Sequence, residues 1–228
     1  MGKFKIAVPV TLGTMFKVAA DDPGRFALHG VHLKAGPDGV VATATNGKIL
    51  LQATYAKVGL GEDGGAAVLE GDGTTIIGPD VAAFLATVGK ALPKFKRTGA
   101  MVELEADGDA LRLSCALTGH TQTLRPLAGS FPDTSGVIPP RTAWVGESPD
   151  KAGPMPVARG IVVLNEATLP PLMLAMAALA PEKSCVLPMR FSMPSGHGAL
   201  RIDAERYGVR MVGVVMPMDC SPDQPQTT

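Results

Sequence analysis

"GVVMPMD", residues 213–219, is the last apolar run of the chain, ending nine residues before Thr228. Val214 and Val215 read as a buried strand. Met216, Pro217 and Met218 then set a proline between two long, soft side chains, where a chain end usually turns polar and frays. Working back, "VRMVGVVMPM" (209–218) follows two further strand-like runs, "GALRIDA" (198–204) and "CVLPMRFSM" (185–193). Before them, Leu169, Leu172, Met173 and Met176 form a stripe at helical spacing, with Pro170 and Pro171 in the opening turn. Before that stands "GIVVLN" (160–165), a strand. The order is strand, helix, strand, strand, strand.

The same order occurs twice more. "KFKIAVP" (3–9) alternates Phe4, Ile6 and Val8 with Lys3, Lys5 and Ala7, and reads as a strand. Leu12, Met15, Phe16 and Ala19 predict a short helix, which "DDPG" stops. The runs "RFALHGVHLKA", "GVVATATN" and "KILLQATYAKV" predict three strands, with tight turns at "GPDG" and "NG". In the next unit "TTIIG" is the strand, and Val81, Phe84, Leu85, Val88 and Leu92 are the helical stripe, with Pro79 in its first turn. Strands "AMVELEA", "ALRLSCAL" and "TQTLRPL" follow. The expected fold is α+β, with three strand–helix–strand–strand–strand units. Between the first two, the Gly-rich "GLGEDGGAAVLEGDG" (59–73) reads as a mobile loop.

One such unit is apolar on one side and cannot stand alone. Two units can bury their faces on each other; a third needs a partner in this chain or in a second copy. The expected organisation is a two-unit domain over 1–140, a linker over 141–158, a half-domain over 159–219 and a disordered tail over 220–228.

Composition excludes several classes. Hydrophobic residues are 46% of the 228, enough for a core, and aromatics only 4%, so the core is aliphatic. Lys plus Arg and Asp plus Glu are both 21, so no basic excess argues for nucleic acid or a membrane surface. Cys115, Cys185 and Cys220 are too far apart for a zinc or redox pair. There is no signal-peptide-like start and no run of the roughly twenty apolar residues a membrane span needs. The expectation is a cytoplasmic protein, nucleoid-associated if it binds DNA. His29 and His32, three apart on an expected strand, point to opposite faces and hold no metal. "GDGTT" and "GEDGG" spell no P-loop, and "PSGHG" lacks the context of a hydrolase elbow. No catalytic constellation, metal site or cofactor site is expected; the protein is read as a non-enzyme.

"FPDTSGVIP" (131–139), "VVMPM" (214–218) and "VATATNGKILLQA" (41–53) resemble signature stretches of the bacterial DNA polymerase III beta subunit, the sliding clamp. That family is built from the same units, two per domain and three domains per chain. Residues 3–140 resemble its middle domain and 159–218 the second half of its last. The resemblance implies a groove between these parts that takes linear peptides from polymerases, clamp loaders and repair proteins. Carried over by motif, the groove residues are Arg25, Leu28, Thr45, Gly47, Lys48, Leu50, Val137, Val214, Met216, Pro217 and Met218. Methionine suits a pocket that accepts varied apolar side chains. The chain departs from the family at Asp219 and Cys220, where an Arg-Leu pair is usual.

The resemblance also implies helices lining a channel around duplex DNA. Lys17, Arg25, Lys90, Lys94, Lys96 and Arg97 are the candidate phosphate contacts. The third helix is unlike a channel helix, because no charge occurs from Ala167 to Pro181. It is expected to pack on another unit or subunit. The leading reading is a clamp-like processivity factor, with an oligomeric ring on DNA. The alternative is a clamp-fold peptide-binding regulator, or a structural subunit, that never encircles DNA.

Overall fold

The opening alternation becomes β1 (Phe4–Pro9), with Phe4, Ile6 and Val8 all buried. A computed structural model describes residues 3–22, 24, 26–56, 67–93, 96, 99–139, 167–179, 189–192, 199–206 and 209–216. After β1, Val10–Lys17 forms a 3-10 helix rather than the expected α-helix, still burying Leu12 and Met15. The segment "VTLGTMFK" contains a glycine and three β-branched residues, and the Thr14 hydroxyl donates to the Thr11 carbonyl at 2.8 Å. Each weakens regular α-helical turns.

The expected strand from residue 25 begins only at Val31. Phe26–His29 is a 3-10 turn, because the Ala20 amide donates to the Leu28 carbonyl and folds that stretch back. His29 is therefore not on a strand; its Nδ1 lies 2.7 Å from the Ala20 carbonyl oxygen. Strands β2 (Val31–Gly36), β3 (Gly39–Thr45) and β4 (Ile49–Ala56) then run as antiparallel neighbours. Part of the expected loop is instead a strand, β5 (Ala67–Glu70), which pairs along β1 across a bulge at Lys5/Ile6. Its "AVLE" is too short to show a period against the surrounding glycines. Residues 57–66 lie outside the described residues.

Strand β6 (Gly73–Ile77) leads into α1 (Pro79–Ala91), which buries Val81, Phe84, Leu85 and Val88. Strands β7 (Met101–Asp107), β8 (Ala110–Cys115) and β9 (His120–Leu124) complete the second unit. The third unit shows α2 (Leu169–Leu179), β10 (Arg190–Ser192), β11 (Leu200–Arg206) and β12 (Val209–Val215). "GIVVLN", the 141–158 linker and the 220–228 tail lie outside the described residues.

The strands form two antiparallel sheets whose order departs from the order of the units. One sheet runs β5-β1-β7-β8-β9, the other β10-β11-β12-β4-β3-β2-β6. The first two units exchange their leading strands: β1 pairs with β7, and β6 pairs with β2. The odd third unit finds its partner in this chain. Its last strand, β12, pairs with β4 from Val209↔Tyr55 to Val215↔Ile49. The expected extra packing of the third helix is also met here, since α2 lies on the 3-10 helix Val10–Lys17, on β4 and on β12.

One core links these layers, from Phe4 and Leu33 through Phe84 and Leu104 to Leu172, Met176 and Met211. Close approach is built in at two glycines. A Cβ on Gly213 of β12 would lie 3.0 Å from Leu172 and 3.1 Å from the Met176 sulfur of α2. One on Gly89 of α1 would lie 3.1 Å from Val10. No described helix is long and apolar enough to cross a membrane.

Candidate functional site

In an antiparallel sheet, directly paired residues share a face and alternate residues share it too. Arg201, Val214, Leu50 and Thr45 form one continuous row across β11, β12, β4 and β3. Two residues along, Asp203, Val212, Gln52, Thr43 and His32 form the next. Both rows lie on the face opposite the helices. Val214, Leu50 and Val212 make a second, smaller apolar cluster there, against which Ile138 and Ala199 pack.

The stretch from Leu127 to Pro139 crosses this outer face as a strap with three anchor points. At one end the Leu127 amide donates to the Ile76 carbonyl at 2.8 Å. Leu127 fits against Gly30 and Gly78; a Cβ on Gly30 would sit 2.7 Å from it and 2.6 Å from the Ile77 carbonyl oxygen. In the middle, Phe131 stacks on His32 with ring centres 5.0 Å apart and planes 11° from parallel. At the far end, the Arg201 guanidinium donates to the Pro139 carbonyl and holds Asp203 by two hydrogen bonds, at 2.7 and 2.8 Å. Desolvation, with Lys34 nearby, holds the His32 pKa below its ordinary 6.5.

The strap's turn is locally fixed. The Val137 and Ile138 amides both donate to the Thr134 carbonyl. The Asp133 carboxylate accepts from the Ser135 amide and hydroxyl, which holds its pKa below the ordinary carboxylate value. The β3–β4 turn is equally fixed. Thr45 donates to the Ile49 carbonyl at 2.7 Å and accepts from the Gly47 amide at 3.1 Å. The Asn46 carboxamide oxygen accepts from the amides of Lys48 and Ile49. Gly47, at φ 89°, takes the left-handed conformation such a turn requires.

The candidate groove residues thus divide. Thr45, Leu50 and Val214 are brought into one row, and all three are buried. Lys48 is exposed, and its carbonyl accepts the Met216 amide at 2.9 Å. That bond fixes the end of β12 on the β3–β4 turn while the Met216 side chain stays 46% exposed. Val137, beside Ile138, is 43% exposed. Leu28 sits half-buried on its 3-10 turn, whose Ala27 lies beside Gly129. Arg25, Pro217 and Met218 lie outside the described residues.

Sequence reading missed Val212, Ile138, Ala199, Arg201 and Asp203. Val212 was within reach, being two residues from Val214 on one strand face. Arg201 and Asp203 are likewise two apart in "ALRIDA", a pair of opposite charge with Arg201 buried and Asp203 half-buried. Of the candidate DNA contacts, Lys17 ends the first 3-10 helix, Lys90 lies in the last turn of α1, and both are exposed. Lys96 is exposed beyond α1, while Lys94 and Arg97 lie outside the described residues. Among the described residues no cluster of His, Cys, Asp or Glu is arranged to hold a metal ion.

Repeated units with exchanged leading strands, joined edge to edge into a wider sheet, define a sliding-clamp fold. More particularly, it is the fold of bacterial DNA polymerase III beta subunits. The beta subunit of Borrelia burgdorferi, solved in complex with a natural product, superposes with a TM-score of 0.62 at 13% identity, over 96% of this chain and 63% of that one. The Thermotoga maritima beta subunit gives 0.62 at 14% identity, over 96% and 66%. The Pseudomonas aeruginosa clamp bound to griselimycin gives 0.57 at 14% identity, over 94% and 65%. The chain therefore spans about two thirds of these proteins (63–66%). No family model matches the sequence, and no curated protein matches it.

Proposed function

We propose that the chain is a divergent clamp-like protein that binds short linear peptides of polymerase, clamp-loader or repair proteins. The site is the outer face around Leu50, Val214, Val137 and Met216. The reading takes residues 1–140 as a clamp-like domain and 159–219 as half of one. Its activity is binding rather than catalysis.

Met216 carries the reading. Its backbone is pinned to Lys48, yet its side chain stays 46% exposed beside a closed apolar cluster. A methionine that only completed a core would be buried. Val137 is exposed on the strap that covers the same cluster. An incoming Leu or Phe would pack on these two side chains and reach Val214 and Leu50 as Ile138 shifts. Each anchor gains about 1.5–3 kcal/mol from burial. Ordering the peptide offsets part of that, so the affinity is modest.

The test is fluorescence polarisation with a labelled clamp-type peptide carrying Leu and Phe anchors. Met216→Asp places a charge where the anchor docks and weakens binding at least tenfold, with unchanged circular dichroism. A wild-type chain that does not bind, or an aspartate variant that binds equally, ends the proposal.

Duplex DNA, encircled by an oligomeric ring, is the broader form of this reading; Lys17, Lys90 and Lys96 are its candidate contacts among the described residues. A second reading, a peptide-binding regulator that never encircles DNA, draws on α2. That helix carries no charge over its eleven residues and leaves Leu174 58% exposed. Titrating duplex DNA at low salt separates the two. Binding that falls steeply with added salt favours the clamp, and no binding favours the regulator.

A further inference from the structure

Between its anchors at Leu127 and Pro139, the strap is held on the outer face by side chains. Phe131 lies on His32, and Ile138 packs on Leu50, Val212 and Val214. The hydrogen bonds of Phe131–Ile138 stay within the strap: the Val137 and Ile138 amides reach the Thr134 carbonyl, and Ser135 reaches Asp133. Among the described residues none goes to β2, β3, β4 or β12, the strands the strap crosses. Pro132, Asp133, Ser135, Gly136 and Val137 are exposed. A segment tied to a sheet face by two side chains opens at lower cost than one laddered to it by its backbone.

The two contacts also define a span. His32 and Val212 stand on one row of the face, with Thr43 and Gln52 between them. Three strand steps separate them, about 14 Å at about 4.8 Å a step. The strap takes seven residues from Phe131 to Ile138, because its turn at Thr134 takes up chain. An extended peptide covers the same span in about four residues. Residues four apart on an extended chain point to the same side, so both can face the sheet. The middle of such a peptide passes Thr43 and Gln52, whose hydroxyl and carboxamide nitrogen lie 3.4 Å apart and suit polar side chains.

We propose that Phe131 and Ile138 are displaceable internal occupants of the peptide site, and that the peptide replacing them is extended, with an aromatic side chain on His32 and an aliphatic one on the Leu50–Val212–Val214 cluster four residues further on. This rests on the peptide-binding reading and adds its regulation and its ligand. The strap lowers the observed affinity in proportion to the fraction of chains whose face is open. Its anchors at Leu127 and Pro139 keep it beside the site, so it returns when the peptide leaves.

Fluorescence polarisation of the full chain with labelled Gly-Phe-Ser-Gln-Ser-Leu-Ser-Gly tests it. Phe131→Ala with Ile138→Ala, at unchanged circular dichroism, binds this probe at least tenfold more tightly than the wild type, because the face is no longer filled. The control Gly-Phe-Ser-Gln-Leu-Ser-Ser-Gly has its anchors three apart, on opposite sides of an extended chain, and binds at least tenfold more weakly than the probe. A synthetic copy of residues 129–139 binds the double variant and competes with the probe. Equal affinity of variant and wild type overturns the proposal, as does equal affinity for probe and control. If neither protein binds the probe, the strap copy decides. Its binding to the variant upholds the internal occupant and leaves the peptide-binding reading alone to fall; its failure to bind overturns both. Should the double change unfold the chain, Ile138→Ala alone is read: a rise of at least threefold is expected, and no rise overturns the proposal.

Discussion

Replacing Arg201 with alanine tests how the strap is held. Arg201 is 9% exposed overall, and its side chain and that of Asp203 are 11% and 14% exposed. The guanidinium makes two hydrogen bonds to Asp203 and one to the Pro139 carbonyl. Removing one partner of a fully buried ion pair costs about 3–5 kcal/mol, because the other charge is left unpaired. The remaining solvent access at both side chains lowers that, so the expected loss is about 2–4 kcal/mol. For a chain of this size a loss near 3 kcal/mol lowers Tm by roughly 6–12 °C. Urea unfolding followed by circular dichroism measures it, with the m-value checked for constancy. The double change Arg201→Met with Asp203→Leu should cost less than Arg201→Ala alone, because no charge is stranded. With Pro139 released, Ile138 leaves the Leu50–Val214 cluster more readily, so peptide affinity changes as well. A stability loss under about 0.5 kcal/mol, typical of an unremarkable surface change, would refute the strap anchor.

Tyr55 is fully buried and its hydroxyl has no hydrogen-bond partner, while burial pushes its pKa up. Tyr55→Phe should therefore raise stability by about 1 kcal/mol in urea unfolding, since it removes an unpaired buried hydroxyl. His32 has a lowered pKa, so the unfolded chain binds its proton more tightly than the folded one. Stability is then full above the ordinary value of 6.5 and declines as pH falls from there towards the depressed pKa. Urea titrations between about pH 7.5 and 5.5 should show this slope, and His32→Phe, which keeps a ring against Phe131, should flatten it. Gly213→Val forces branched carbons against Leu172 and Met176 and should cost about 1–3 kcal/mol by prising α2 from β12; an unchanged Tm would mean α2 yields freely.

The elements were largely legible in the sequence because burial imposes its period on residue type. Phe4, Ile6 and Val8 alternate because one side of β1 faces the core. Val81, Phe84, Leu85 and Val88 recur at helical spacing because one stripe of α1 does. Elements without such a stripe were misread: β5 is too short, and Phe26–His29 is set by a backbone hydrogen bond from Ala20. At the site, motif resemblance brought together Thr45, Leu50 and Val214. It did not bring in Val212 or Arg201, which belong through the sheet face they share.

By itself, then, the sequence determined two full units, the helix and following strands of a third, and which side of each strand is apolar. All three follow from local spacing and one-sided burial. Only the tertiary structure decided that β1 and β6 change places, that β12 lies along β4, and that the strap crosses to Arg201. Those contacts join main-chain edges or residues far apart in the chain. An N–H and a carbonyl are the same at every position, so the sequence carries no local mark of which edge meets which.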